Sequence, residues 1–266
     1  KTYKSVKIAY AQSLVAADAL KKQDVKLASI ELAKTKDALT KTQDGLHAMG
    51  YLKFIPVISG YYNDADHLLN AGFDGLDSAI ILVDAIKPYS DLLGLKGQGS
   101  FVGGTAQQRI ETAVKTMSKI TPKIDDIADK LAHAKVEIDQ VDPNHYPEFG
   151  PGKKIKSRLQ TLKNLTDQSV TLIDNSRPLI KVLPVLLGEP NEKKYLVIFQ
   201  NDKELRPTGG FITAYSIFRL NSGVVKVDVS NDIYNLDNTI SKKAKAPAPI
   251  LNYLDNIKVL NLRDIN

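Results

Sequence analysis

The strongest constraint on the fold is a seam of apolar residues in the middle of the chain. Ile110, Ala113, Met117, Ile120, Ile124, Ile127, Leu131, Ala134, Ile138 and Val141 recur at alternating intervals of three and four, the spacing that places them on one stripe of an α-helix. Such a heptad seam requires a helical partner. Packing against other helices of the same chain is the first expectation, and an oligomer formed through residues 110–141 is the alternative. Pro122 falls inside the seam. It lacks an amide hydrogen and crowds the preceding turn, so the helix should kink or restart there.

The flanking sequence supplies partners for the seam. The run from Lys4 to Lys21 is rich in helix formers, and Asp24 is placed to cap a second helix reaching His47, with "KKQD" making the break. A third helix is predicted from Asn63 to Ile86, with Leu69, Leu76, Ile80 and Val83 inward. It follows "YLKFIPVISG", where Pro56 and Gly60 are expected to end regular structure. Beyond the seam, "DPNHYPEFGPG" reads as a corner. Ile155, Leu159, Leu162, Val170 and Ile173 define a fifth helix, and Ser176 to Leu187 a short sixth. The glycines of "GLKGQGSFVGG" (94–104) suggest a flexible connection. They do not make a phosphate loop, because no strand precedes them and no Lys-Ser/Thr pair follows.

Composition changes abruptly at "EPNEKKYLVIFQN". Tyr195 to Gln200 is a short apolar run suited to a buried strand, while Gly210–Leu220 and Val224–Val229 flank Asn221-Ser222-Gly223, a hairpin signal. "IKVLNL" near the end is a further strand-like run. The expected fold class is therefore α+β, mostly α. A helical bundle or stalk over residues 1–190 is followed, over residues 191–266, by the first strands of an incomplete α/β domain. Three or four strands make a thin core, so a continuation beyond Asn266 is expected.

Several chemistries are excluded. With no cysteine among 266 residues, disulfides, thiolate catalysis and cysteine-based zinc sites are ruled out. The net charge of +6 is diluted, with 25 basic against 22 acidic residues in 1–190 and 11 against 8 in 191–266. A nucleic-acid footprint would need that charge concentrated on one face. The small basic knots "KKIKSR" (153–158) and "SKKAKA" (241–246) read as solvated surface. His47, His67, His133 and His145 share no ligand spacing, so no metal site or cofactor is expected. There is no G-x-S-x-G elbow, and His145 in its turn reads as a surface residue rather than a base. No stretch reaches the length of a membrane span. The chain opens on lysine rather than methionine, which points to a removed signal or anchor helix, or alternatively to a soluble piece of a cytoplasmic protein.

What remains is "NDKELRPTGGFITAY" (201–215), where an acid, a lone arginine, a proline and two glycines crowd between two β-type runs. Asn201, Glu204, Arg206 and Asp232 are the candidate ligand-binding residues, because the end of the first strand and the tail of the third would meet at one end of a sheet. A guanidinium there could clamp a phosphate or carboxylate bidentately. Alternatively, Arg206 pairs with Glu204, Asp202 or Asp232 and pins an irregular loop, with the glycines present only for left-handed backbone.

Asn201, Glu204, Leu205, Arg206, Pro207, Thr208, Gly209, Gly210 and Phe211 match an N-x-x-E-L-R-P-T-G-G-F signature. On that motif the chain resembles the bacterial envelope family known as domain of unknown function 4012. The resemblance implies an N-terminal membrane helix, then a long helical region with a P-V-I-S-G-like break, then the motif domain. It implies no settled activity. More distantly, the order of strands and polar residues is similar to the opening of the LytR-CpsA-Psr phosphotransferases, which hold pyrophosphate with arginines. On that likeness Arg206 and Asp232 would match site residues. Asn231 departs from it, since those enzymes place an arginine there. The expected function is a non-catalytic binding or assembly module on a helical stalk. It would be extracytoplasmic and membrane-tethered, with a glycopolymer or protein partner in the envelope, and the alternative is a transferase of lipid-linked glycopolymer phosphate.

Overall fold

The computed structural model describes residues 2–97, 104–206, 209–253 and 256–264, and 67% of it is helical. The class is α+β, mostly α. Two compact units divide the chain, Lys1–Pro184 and Val185–Asn266. Residues 98–103 of the glycine-rich connection lie outside the described residues.

The first unit opens with α1 (Thr2–Lys21) and α2 (Val25–His47), which lie antiparallel. Asp24 caps α2, its carboxylate accepting from Leu27 N at 2.9 Å. The two helices meet through small residues, Ala9, Ala16 and Ala19 facing Ala28, Leu32 and Ala38. Ala16, Val25 and Leu32 join Val83 in one cluster, with Leu76, Ile80 and Leu95 packed on it. Val83 belongs to α3 (Ile58–Ile86), which starts earlier than the sequence predicts. Gly60 is not a terminator but sits inside its first turn. A Cβ there would lie 2.8 Å from the His145 ring, so the glycine makes room for that imidazole.

Pro122 divides the seam as expected. α4 (Ala106–Ile120) gives way to a 3-10 turn at Thr121–Lys123, and α5 (Ile124–Asp139) follows. After the break the seam is core: Ile124, Ile127, Ala134, Ile138 and Val141 are buried, and Ala71 of α3 packs with Ala134 and Ile138. Before the break the register differs. Val114 and Thr116 are buried, whereas Ile110 is 47% exposed. The α4 half of the seam is thus not buried along its length as the α5 half is.

The fifth and sixth predicted helices are one, α6 (Gly150–Leu186), about 55 Å long at 1.5 Å per residue. Of its apolar residues only Leu159 and Pro184 are buried, beside Gly152. Polar ties fasten it to α5. Arg177 and Lys181 reach Asp125, Lys135 reaches Asp167, and Lys163 donates to the Asp139 carbonyl. Pro184 leaves the Ile180 carbonyl without its helical donor. The Thr121 hydroxyl lies 3.2 Å from that oxygen and 3.0 Å from Met117 O, which explains how the helix tolerates the proline.

The second unit is an antiparallel meander of β1 (Lys193–Arg206), β2 (Gly209–Asn221) and β3 (Val224–Asp232), in the order β1-β2-β3. The β2–β3 loop has Ser222 at φ 47 and Gly223 at φ 83, the two positive values a two-residue hairpin turn demands. Two short helices, α7 (Ile233–Thr239) and α8 (Ala248–Tyr253), and a 3-10 turn at Leu262–Asp264 complete it. "IKVLNL" is not a strand. It contributes a single bridge, Lys245 to Val259.

If the seam is core only after Pro122, two alanine substitutions should differ sharply. Ile138→Ala should destabilise the helical unit by about 2–4 kcal/mol in urea denaturation, whereas Ile110→Ala should stay within about 0.5 kcal/mol.

Candidate functional site

The described part of the motif lies on two paired strands rather than in the expected loop. β1 pairs regularly with β2 from Lys193 to Phe199, shifts register at Phe199/Gln200 and again between Asn201 and Leu205, and recovers where Arg206 opposes Gly209. Residues 202–204 form the bulge. Asn201 stabilises it, its side-chain oxygen accepting from Lys203 N at 3.1 Å. Gly210 has a different purpose from the one expected. Gly210 is not left-handed; a Cβ on it would stand 2.4 Å from Asn201 O and 3.0 Å from Asp202 Cα. The bulge crosses β2 at backbone contact, and only glycine admits it. The side chains of Glu204 and Asp202 are exposed. Pro207, Thr208 and the side chain of Arg206 lie outside the described residues, and so does the expected pairing of its guanidinium.

Asp232 stands opposite Ala214 at the end of β3, while Asn201 stands opposite Phe211 on the other side of β2. The two share a sheet end but flank the central strand, roughly 10 Å apart along it. Asp232 caps α7, accepting from Tyr234 N at 2.6 Å. Asn231 accepts from Asp232 N at 2.9 Å and from the Asn235 side chain at 2.8 Å. These polar groups hold the exit from the sheet.

The most buried charge of this unit escaped the sequence reading. Asp237 is wholly buried and accepts from Leu262 N at 2.6 Å and from an Arg263 guanidinium nitrogen at 2.7 Å. The Arg263 guanidinium lies 4.6 Å from the centre of the Tyr234 ring, and that ring is 6.0 Å from Phe211 of the motif. A chain of contacts thus ties the motif phenylalanine to "NLRDIN". One signal was available: residues 191–266 hold only three arginines, 206, 219 and 263. Arg219 is taken by Asp228, whose carboxylate raises its pKa.

In the helical unit, all four histidines are paired with carboxylates. His47 meets Asp66 at 3.3 Å, His67 meets Glu137 at 2.7 Å, His133 meets Asp74 at 2.5 Å, and His145 meets Asp64 at 2.8 Å. His145 is therefore anchored, although its ring stays partly exposed. The Asp64 side chain is 2% exposed and also accepts from Asp142 N at 3.2 Å. Burial, then the charge of Asp64 and a hydrogen bond to it, push the Tyr146 phenol well above its usual range. The Asp74 carboxylate raises the pKa of His133, and that of Asp64 raises the pKa of His145. Each imidazole is oriented, but by a structural carboxylate with no activated nucleophile beside it. Among the described residues no three His, Asp or Glu side chains are grouped to hold a metal ion. A shallow cleft of about 310 Å³ between α1 and α2, lined by Ser5, Ile8, Gln12, Lys34 and Asp37, lies in this unit. It contains no catalytic grouping.

Residues 191–265 match the model of the family described as Protein of unknown function (DUF4012). No curated protein and no solved structure matches the chain.

Two measurements test these assignments. Because His133 and His145 have raised pKa values in the folded state, they contribute stability that is full below the ordinary value of 6.5 and lost as pH rises through the folded values. The thermal midpoint of the helical unit should fall as pH rises above about 6.5, and His133→Gln with His145→Gln should flatten that slope. In the motif unit, Gly210→Ala forces apart two backbones. It should destabilise that unit by about 1–3 kcal/mol in chemical denaturation, as overpacking does.

Proposed function

We propose that the chain is a non-catalytic binding or assembly module of a membrane-tethered protein exposed on the bacterial envelope, with the helical unit serving as its stalk. One observation carries the binding part. The sheet has apolar residues open on both faces: Leu196 and Ile198 are 63% and 52% exposed on one, Val225 and Val227 59% and 52% on the other. β1 also presents an unpaired edge along its apolar run. Asn201 and Asp232, meanwhile, are occupied with a turn and a helix cap. A sheet of this kind is suited to being covered by another polypeptide, through main-chain pairing at the edge and apolar contact on the faces. Among the described residues no helix is long and apolar enough to cross a membrane, so the tether belongs to the reading carried by the family resemblance.

The transferase reading keeps one point in its favour, since Asn201 and Asp232 do reach the same sheet end. Under it, Arg206 would clamp a phosphate, and lipid-linked glycan phosphate would be the substrate.

The two readings separate in cells and in the test tube. The native protein should fractionate with membranes and be cut by protease added outside intact cells. The purified protein should show no transfer of a polyprenyl-phosphate-linked glycan to a wall acceptor. Recovery in the cytosol would sink the tether, and transfer abolished by Arg206→Ala would establish the enzyme instead.

A further inference from the structure

Side-chain pairs fix the directions of α1, α2, α3, α5 and α6. Gln12 meets Glu31, His47 meets Asp66, His67 meets Glu137, and Lys135 meets Asp167. The helices alternate in direction, so the starts of α1, α3 and α6 and the ends of α2 and α5 gather at one end of the unit. The link from α2 to α3 lies there, and its side chains face water: Tyr51 is 65% exposed, Phe54 86% and Val57 80%. Phe149, on the neighbouring corner before α6, is 78% exposed. Asp64 and Tyr61 hold that corner against α3, through the His145 ring and the His145 carbonyl.

Three further observations bear on what covers this surface. First, Val57 has φ 70 and ψ −43, a strained conformation for a β-branched residue. The strain brings no packing in return, since the side chain projects into solvent. Second, between Ala48 and Asn63 the only charged residue is Lys53, so the link carries no acid. Third, α6 begins within a few residues of Phe149 with Lys153, Lys154 and Arg158, all exposed and without an ion pair among the described residues. Exposed aromatic and aliphatic residues beside unpaired lysines are complementary to a layer with an apolar interior and anionic headgroups.

We propose that this end of the helical unit docks on an anionic lipid surface. Phe54, Val57 and Phe149 enter the acyl boundary, Tyr51 and Tyr61 sit at headgroup level, and Lys53, Lys153 and Lys154 meet the phosphates. The inference stands apart from the tether, because the chain tested contains no membrane-spanning helix among its described residues. Failure of one leaves the other standing.

Co-sedimentation with lipid vesicles tests it. The protein should pellet with vesicles containing phosphatidylglycerol and stay in solution with pure phosphatidylcholine, and added salt should weaken the binding. Phe54→Ser with Val57→Ser should reduce the bound fraction by at least about tenfold. Lys153→Glu with Lys154→Glu should remove the preference for anionic lipid. Circular dichroism of both variants should match the wild type, since the substituted side chains are exposed. Wild-type protein that ignores anionic vesicles, or variants that bind as well as wild type, would overturn the proposal. So would a lipid-free dimer that Phe54→Ser with Val57→Ser disperses, which would assign the surface to a second copy of the chain.

Discussion

The helical unit depends on α3, and on α3 the most consequential group is the buried carboxylate of Asp64. A charge that deep is tolerated only when hydrogen bonds replace its water. Asp64 obtains them from His145 and the Asp142 amide, with the Tyr146 phenol against it. One residue thereby fixes the corner where α5 ends and α6 begins. Farther along the same helix, Asp66, His67, Asp74 and Asp77 meet partners on α2 and α5. Each partly exposed pair contributes little, on the order of 0.2–1 kcal/mol. Their combined effect is on register, because sliding α5 by one turn would break the pairs of Asp74 and Glu137 together. The driving force comes from the apolar contacts beneath, such as Ala71 with Ala134 and Ile138.

This arrangement divides the unit into a tight part and a loose one. α3 shares buried apolar residues with α2 through Val83, Val25 and Leu32, and with α5 through Ala71, Ala134 and Ile138. α1 buries alanines, while Ile8, Tyr10 and Leu14 face water, and α6 buries Leu159 but exposes Leu165, Leu172 and Leu179. Alanine contacts bury little area, and charged ties across solvent are screened. Both helices therefore depend on the α2, α3 and α5 group for their placement. Apolar surfaces are left open, and among the described residues the four histidines and Asp237 are paired with structural partners.

Much of this was legible in the sequence, and the failures have physical causes. The Asp24 cap, the break at Pro122 and the Ser222-Gly223 turn are local, set by a side chain, a missing amide and positive φ. The α5 half of the seam followed from periodicity alone. Ile110 did not, since spacing marks a stripe on a helix but not which part of that helix a neighbour covers. Gly60 and Gly210 were read as conformational when both are steric, each admitting a group distant in the chain: the His145 ring and the Asn201 backbone. The predicted boundary between Ile173 and Ser176 failed because α6 runs on through Pro178, as it does through Pro184. Asn201 and Asp232 were placed at one sheet end by strand order, as they are. Asp237 and Arg263 were overlooked, because nothing local marks a carboxylate as buried.

Hydrogen exchange resolved by residue gives the most direct test of the view that α3 holds the helical unit. If it does, amides of α3 and α5 should exchange slowest and through unfolding of the whole unit, while those of α1 and α6 open locally and earlier. Protection in α6 equal to that in α3, or α3 opening before its neighbours, would contradict the account.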